Sequence, residues 1–125
     1  MEFLTPFQPP DELEMLERGF EIGEAHDPEG CVLAYRRAYP DGLTLTVEFD
    51  IGHLSSIRVS IMCNGRCLSE TVAEGVLSMQ FQSWHDDRIL RIRFDEDSLG
   101  NDMRIHYHPA PFIYFASSQS RKAYS

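Results

Sequence analysis

Alternation of apolar and polar side chains at every second residue runs through most of this chain, and it is cleanest across residues 76–94. Leu77, Met79 and Phe81 alternate with Ser78, Gln80 and Gln82; His85-Asp86-Asp87 interrupts; Leu90, Ile92 and Phe94 then alternate with Arg91 and Arg93. Successive side chains of an extended strand point to opposite faces, so each run turns one face to a core and the other to water. Two such runs joined by a short polar break predict a β-hairpin. The class that follows is antiparallel β with one solvated face.

The same period recurs upstream. Leu43, Leu45, Val47, Phe49 and Ile51 alternate with Thr44, Thr46, Glu48 and Asp50, and Ile57, Val59, Ile61 and Cys63 with Arg58, Ser60 and Met62. Asn64-Gly65 predicts a type I′ turn, which needs positive φ at both central residues. That turn sets Cys63 opposite Arg66 and Cys67 opposite Met62, with the chain returning over residues 66–72. Phe20 and Ile22 open a short strand that ends at Asp27-Pro28-Glu29-Gly30, and residues 31–39 form another, with Leu33 and Tyr35 on one side, up to Tyr39-Pro40-Asp41-Gly42. Met103, Ile105 and Tyr107 alternate before His108-Pro109. Phe112-Ile113-Tyr114-Phe115 reads as a last strand, covered on both sides or paired back on the first.

Ahead of the strands, Asp11 with Glu14 three residues on is a capping-box signal for a helix of about two turns. Leu13, Leu16 and Phe20 are assigned to its buried face, and Asp11, Glu14 and Met15 to its outward face. Arg18 complements the helix dipole and Gly19 supplies the left-handed residue after the cap. The fold class expected is therefore α+β: a short N-terminal helix plus an antiparallel meander of eight to nine strands, each beside its sequence neighbours. A meander of that length curls into a barrel-like or two-layer sheet, with the helix closing one mouth or packing on the apolar face.

One hundred and twenty-five residues make a single domain, 1–125, long enough for its own core. Residues 1–10, with Pro6, Pro9 and Pro10 among Phe3, Leu4 and Phe7, read as an extended arm, and residues 117–125 as a flexible tail. No apolar run approaches the ~20 residues a membrane span needs. The acidic, proline-broken start lacks the basic and apolar regions of a signal peptide, and three cysteines, Cys31, Cys63 and Cys67, are an odd count for a secreted scaffold. These features place the protein in the cytoplasm.

Charge is distributed unevenly. Residues 1–30 hold nine acidic side chains against one arginine, so they carry −8 of the net −9. That sign argues against nucleic acid as a partner and for a positively charged protein. The candidate contact residues are Asp11, Glu12, Glu14, Glu17, Glu21 and Glu24, with Met15 as an exposed apolar anchor among them. The plainer reading of the same residues is a solvated face that keeps the protein in solution.

Several constellations hold residue types capable of chemistry. His106 and His108 share a strand face, which can begin a metal site, but no spacing supplies further ligands and Arg104 lies on the same face. Cys63 and Cys67 flank a hairpin turn and point to opposite faces, Cys63 inward as a small core residue. His85-Asp86-Asp87 is a turn rather than a catalytic pair. Asp95-Glu96-Asp97 with Asn101-Asp102 lacks the ligand order of a calcium loop. Arg58, Arg91 and Arg93 sit on exposed strand faces, with Glu48 and Asp50 as available cross-strand partners. No catalytic residue, metal or cofactor is expected, and the chain is read as a binding protein, not an enzyme.

In size, acidity and α+β layout the whole chain resembles the immunity proteins of bacterial toxin–immunity pairs, including those of contact-dependent inhibition systems. The resemblance implies a heterodimer with one cognate toxin, in which the protein covers a basic, nuclease-type domain without cofactor or turnover. Two other classes fit the same layout. One is a β-barrel module whose inward set (Leu45, Val47, Phe49, Val59, Ile61, Met79, Phe81, Leu90, Ile92 and Tyr107) lines a cavity for a small apolar ligand. The other is a metal-dependent enzyme using the His106/His108 face.

Overall fold

Among residues 9–52, 55–94 and 102–116, which the computed structural model describes, the chain forms one short helix, a 3-10 turn and nine strands in the order the alternation predicts. Helix α1 is Glu12–Glu17 and the 3-10 turn is Pro28–Gly30. The strands are β1 Glu21–Ile22, β2 Val32–Ala38, β3 Leu43–Asp50, β4 Ser56–Cys63, β5 Arg66–Ala73, β6 Val76–Trp84, β7 Asp87–Phe94, β8 Asp102–His108 and β9 Phe112–Ala116. All neighbours are antiparallel and sequential, in one sheet β1-β2-β3-β4-β5 and a second β6-β7-β8-β9. The two-layer alternative is the one adopted. The sheets do not close into a barrel.

Leu45, Val47 and Phe49 of β3 and Ile57, Val59 and Ile61 of β4 are buried as their spacing requires. They meet Leu90, Ile92, Phe94, Met103, Ile105 and Tyr107 of the other sheet in one continuous apolar cluster, with Met79 and Phe81 packed against it. The side chains considered as a cavity lining therefore fill a core. The Asn64-Gly65 turn has φ of 51° and 83°, and the register is Cys63↔Arg66 and Met62↔Cys67, as the type I′ geometry demands. All three cysteines are free. Cys63 is half-buried rather than a core residue.

Two strands depart from the pattern expected of them. The β6–β7 pairing slips between Val76 and Ser78, so Val76 takes the inward position and Leu77 is left 59% exposed. One extra residue in a ladder reverses which face each side chain takes. Strand β9 is neither covered on both sides nor paired back on β1: it hydrogen-bonds β8 and has Phe112 56% exposed. Its aromatics are served by the adjacent row instead, with Arg104 over the Tyr114 ring at 5.6 Å and His106 edge-on to Phe112 at 5.5 Å. The expected arm at residues 1–10, the tail at 117–125 and the carboxylate loop at 95–102 lie wholly or largely outside the described residues.

The helix also turns a different face inward. Its capping box forms, with the Glu14 N–H donating to Asp11 Oδ1 at 2.8 Å and the Asp11 N–H to Glu14 Oε1 at 3.2 Å. At the other end the Gly19 N–H donates to the Leu16 carbonyl and the Phe20 N–H to that of Met15, both at 3.1 Å, with Gly19 at φ +90°. These two bonds make a Schellman motif, whose apolar contact joins the residues at its two ends. Met15 and Phe20 accordingly enter the core together. Met15 is thus no exposed anchor. Leu13, about half a turn away, is 64% exposed, and Leu16 is 42% exposed.

A short hydrogen bond helps tie the sheets at this end: the Tyr39 hydroxyl, just past β2, donates to the Tyr107 carbonyl of β8 at 2.6 Å. Burial pushes the Tyr39 phenol from 10.0 up to about 12, against a smaller opposing pull from Arg37. The folded chain holds this proton more tightly than the unfolded chain. Its stabilising contribution is therefore complete below the unfolded value and is lost as pH rises toward 12.

Tyr39→Phe is expected to cost about 1 kcal/mol at neutral pH, by leaving the Tyr107 carbonyl short of a donor. The same variant should show a smaller alkaline loss of stability, reduced and not abolished because Tyr35 and Tyr107 are also shifted upward by burial; thermal melts across alkaline pH test both. For the helix, Met15→Ala should lower the unfolding free energy by about 2–5 kcal/mol, and Leu13→Ala by less than about 0.5 kcal/mol. Urea denaturation decides between the faces, since a larger loss at Leu13 than at Met15 would mean the helix presents the other side.

Candidate functional site

The acidic residues singled out from the sequence divide into those on the helix and those beyond it. Asp11, Glu12, Glu14 and Glu17 are exposed on and beside α1, where Leu13 and Leu16 supply the apolar surface that Met15 does not. Carboxylates in the first turn complement the helix dipole, so Glu12 and Glu14 are placed where negative charge is favoured. Their field reaches inward: the buried Tyr35 phenol is pushed up first by desolvation and then by the charges of Glu12 and Asp11.

Beyond the helix the acids are differently engaged. Glu21 of β1 pairs with Arg36 of β2 at 2.8 Å, so its charge is locally matched. Glu24 is exposed and lines a broad cleft of about 520 Å³ with Arg36, Glu48 and Met62. Glu12 has a partner that the sequence did not flag. His26 Nδ1 accepts from the Ala34 N–H at 3.0 Å, which leaves Nε2 facing Glu12 Oε1 at 3.6 Å. An isolated histidine with no periodic neighbour carries no signal of that role.

The other sequence candidates are dispersed. His106 Nδ1 lies 3.9 Å from Asp87 Oδ1, while His108 Nδ1 lies 3.4 Å from Arg37 Nη2, so the two imidazoles serve different neighbours. Among the described residues no three His, Cys, Asp or Glu side chains converge as a metal site would require. His85 stacks edge-on to Trp84 at 5.1 Å, and Asp87 turns to His106 instead of to it. Arg58 lies directly opposite Glu48 in the β3–β4 ladder, as expected, whereas Arg91 shares Asp102 with Arg104, at 3.0 and 3.2 Å.

A basic feature emerges that no spacing announced. Where the C-terminal end of α1 meets β2, β7 and β8, a cleft of about 400 Å³ is walled by Arg18, Arg37, Arg88, Tyr107, His108 and Glu17. It continues past Phe81 into a second hollow of about 310 Å³ that shares Arg18 and Arg88. Arg37 donates to the Arg18 carbonyl, in space that a Cβ at position 19 would occupy. Gly19 is therefore needed twice, for its positive φ and for the absence of a side chain.

No protein-family model matches the chain, and no curated protein matches it in sequence. Its fold is similar to that of a chain in a solved contact-dependent growth inhibition toxin–immunity protein complex from Klebsiella pneumoniae 342, with a TM-score of 0.77 over 93% of this chain and 99% of that chain, at 17% identity. Likeness at that identity is likeness of fold, and in the fold the resemblance read from size, charge and layout is borne out.

Proposed function

We propose that this chain is an immunity protein, which binds a cognate bacterial toxin domain in the cytoplasm and neutralises it by occupying its surface. The observation that carries this reading is the end-to-end fold match to a chain of a toxin–immunity complex, covering 93% of one chain and 99% of the other. The acidic helix supplies the second support. Carboxylates of Asp11, Glu12, Glu14 and Glu17 around exposed Leu13 and Leu16 form a patch suited to a basic cleft, and nuclease domains are basic because they bind phosphate. Glu21 and Glu24 extend the same charge beyond the helix. The protein acts stoichiometrically, as a single domain without cofactor or turnover.

Opposite charges on two approaching surfaces raise the encounter rate, and that gain is screened by salt. Glu12 and Glu17 are the informative positions, because Glu14 also caps the helix and its removal would confound folding with binding.

Where the adjacent upstream reading frame encodes a growth-arresting protein, co-expression of this chain should restore growth, and expression of this chain alone should leave growth unimpaired. Growth arrest by this chain alone would assign it to the toxin side of such a pair. In stopped-flow mixing, Glu12→Lys with Glu17→Lys should slow association about tenfold at low ionic strength, with the difference shrinking as salt rises. An unchanged association rate would remove the acidic helix from the interface while leaving the inhibitor reading to the growth assay.

A further inference from the structure

Cations collect at one place on a chain whose net charge is −9. Arg18, Arg37 and Arg88 face one cleft, where Glu17 is the single carboxylate among the described lining residues. Like charges gathered in this way repel one another, and an entering anion relieves the repulsion. Two of the three guanidinium groups are already held. Arg18 lies 3.8 Å from the Phe81 ring centre and donates to the Glu14 carbonyl at 3.3 Å. Arg37 is fixed by the Arg18 carbonyl and by His108 Nδ1 at 3.4 Å.

Arg88 differs from them. It sits opposite His108 in the β7–β8 ladder, and its side chain makes no hydrogen bond or ion pair among the described residues. A guanidinium carries five N–H donors in a planar fork that matches the oxygens of phosphate and carboxylate. Groups held in place before binding lose little freedom when the ligand arrives.

We propose that this cleft is an oxyanion-binding site, taking a phosphate or a carboxylate group, with Arg88 as the fork without a partner among the described residues, in the same cleft as the two fixed ones. The site stands on side chains other than the exposed helix face, so it does not depend on the identity of the toxin.

The test is titration of the full chain with sodium phosphate and, separately, sodium acetate at constant ionic strength, followed through the arginine Nε–Hε resonances. The Arg18, Arg37 and Arg88 signals should move together and saturate with at least one anion, and Arg88→Gln should weaken that binding about tenfold. Saturation with phosphate alone identifies a phosphate-bearing ligand; saturation with acetate alone identifies a carboxylate, as on a protein side chain. Should Arg88→Gln fail to fold, Arg88→Lys keeps the charge, removes the fork and should weaken binding likewise. Absence of a saturable shift with both anions, or an affinity unchanged in the folded variant, overturns the site.

Discussion

Two sheets with no continuous ladder between them have side chains to hold them face to face, and everything at the surface inherits its position from that layer. Strands β2 to β5 contribute from one side and β6 to β9 from the other to a single apolar cluster capped by Met15 and Phe20. Burial of this kind is non-directional and scales with area. It sets how closely the sheets approach but not how they are aligned. Alignment comes from contacts at Tyr107, whose ring meets Phe20 at 5.3 Å and Phe81 at 6.0 Å, and whose carbonyl accepts from Tyr39 across the gap. Arg18 and Arg37 reach the same residue. The arginine cleft is thus built on the joint that aligns the two layers.

Much of this was legible in the order of residues, and the parts that were not share a physical cause. Period two is a local property, so β3, β4, β7 and β8 could be read directly, and Asn64-Gly65 carried the register of its hairpin in its own backbone requirement. The slip at Val76–Ser78 is different, since a single extra residue leaves the composition of a strand untouched while reversing its faces. The helix was too short for periodicity to decide its orientation. Leu13 and Leu16 suggested one face, and the contact between Met15 and Phe20 that goes with the chain reversal at Gly19 selected another. The basic cleft depends on Arg37 meeting His108 across 71 residues, and no spacing in a linear chain encodes such a meeting.

The surface that results has both signs of charge in adjoining positions. Glu17 ends the acidic helix and also stands at the wall of the arginine cleft, with Arg18 as the very next residue. A partner that covers this end of the molecule meets a negative ridge and a positive hollow side by side. Discrimination between partners rests on such juxtapositions as much as on attraction, because a surface of one sign satisfies only half of the pattern.

The capping box has a consequence for how such a surface changes over time. Asp11 and Glu14 spend hydrogen-bonding capacity on each other's backbone, so the helix end unravels if they are altered. Glu12, Leu13 and Glu17 carry no such obligation to the backbone. Substitutions that retune this surface have their latitude at those three positions, while the two beside them stay tethered to the architecture.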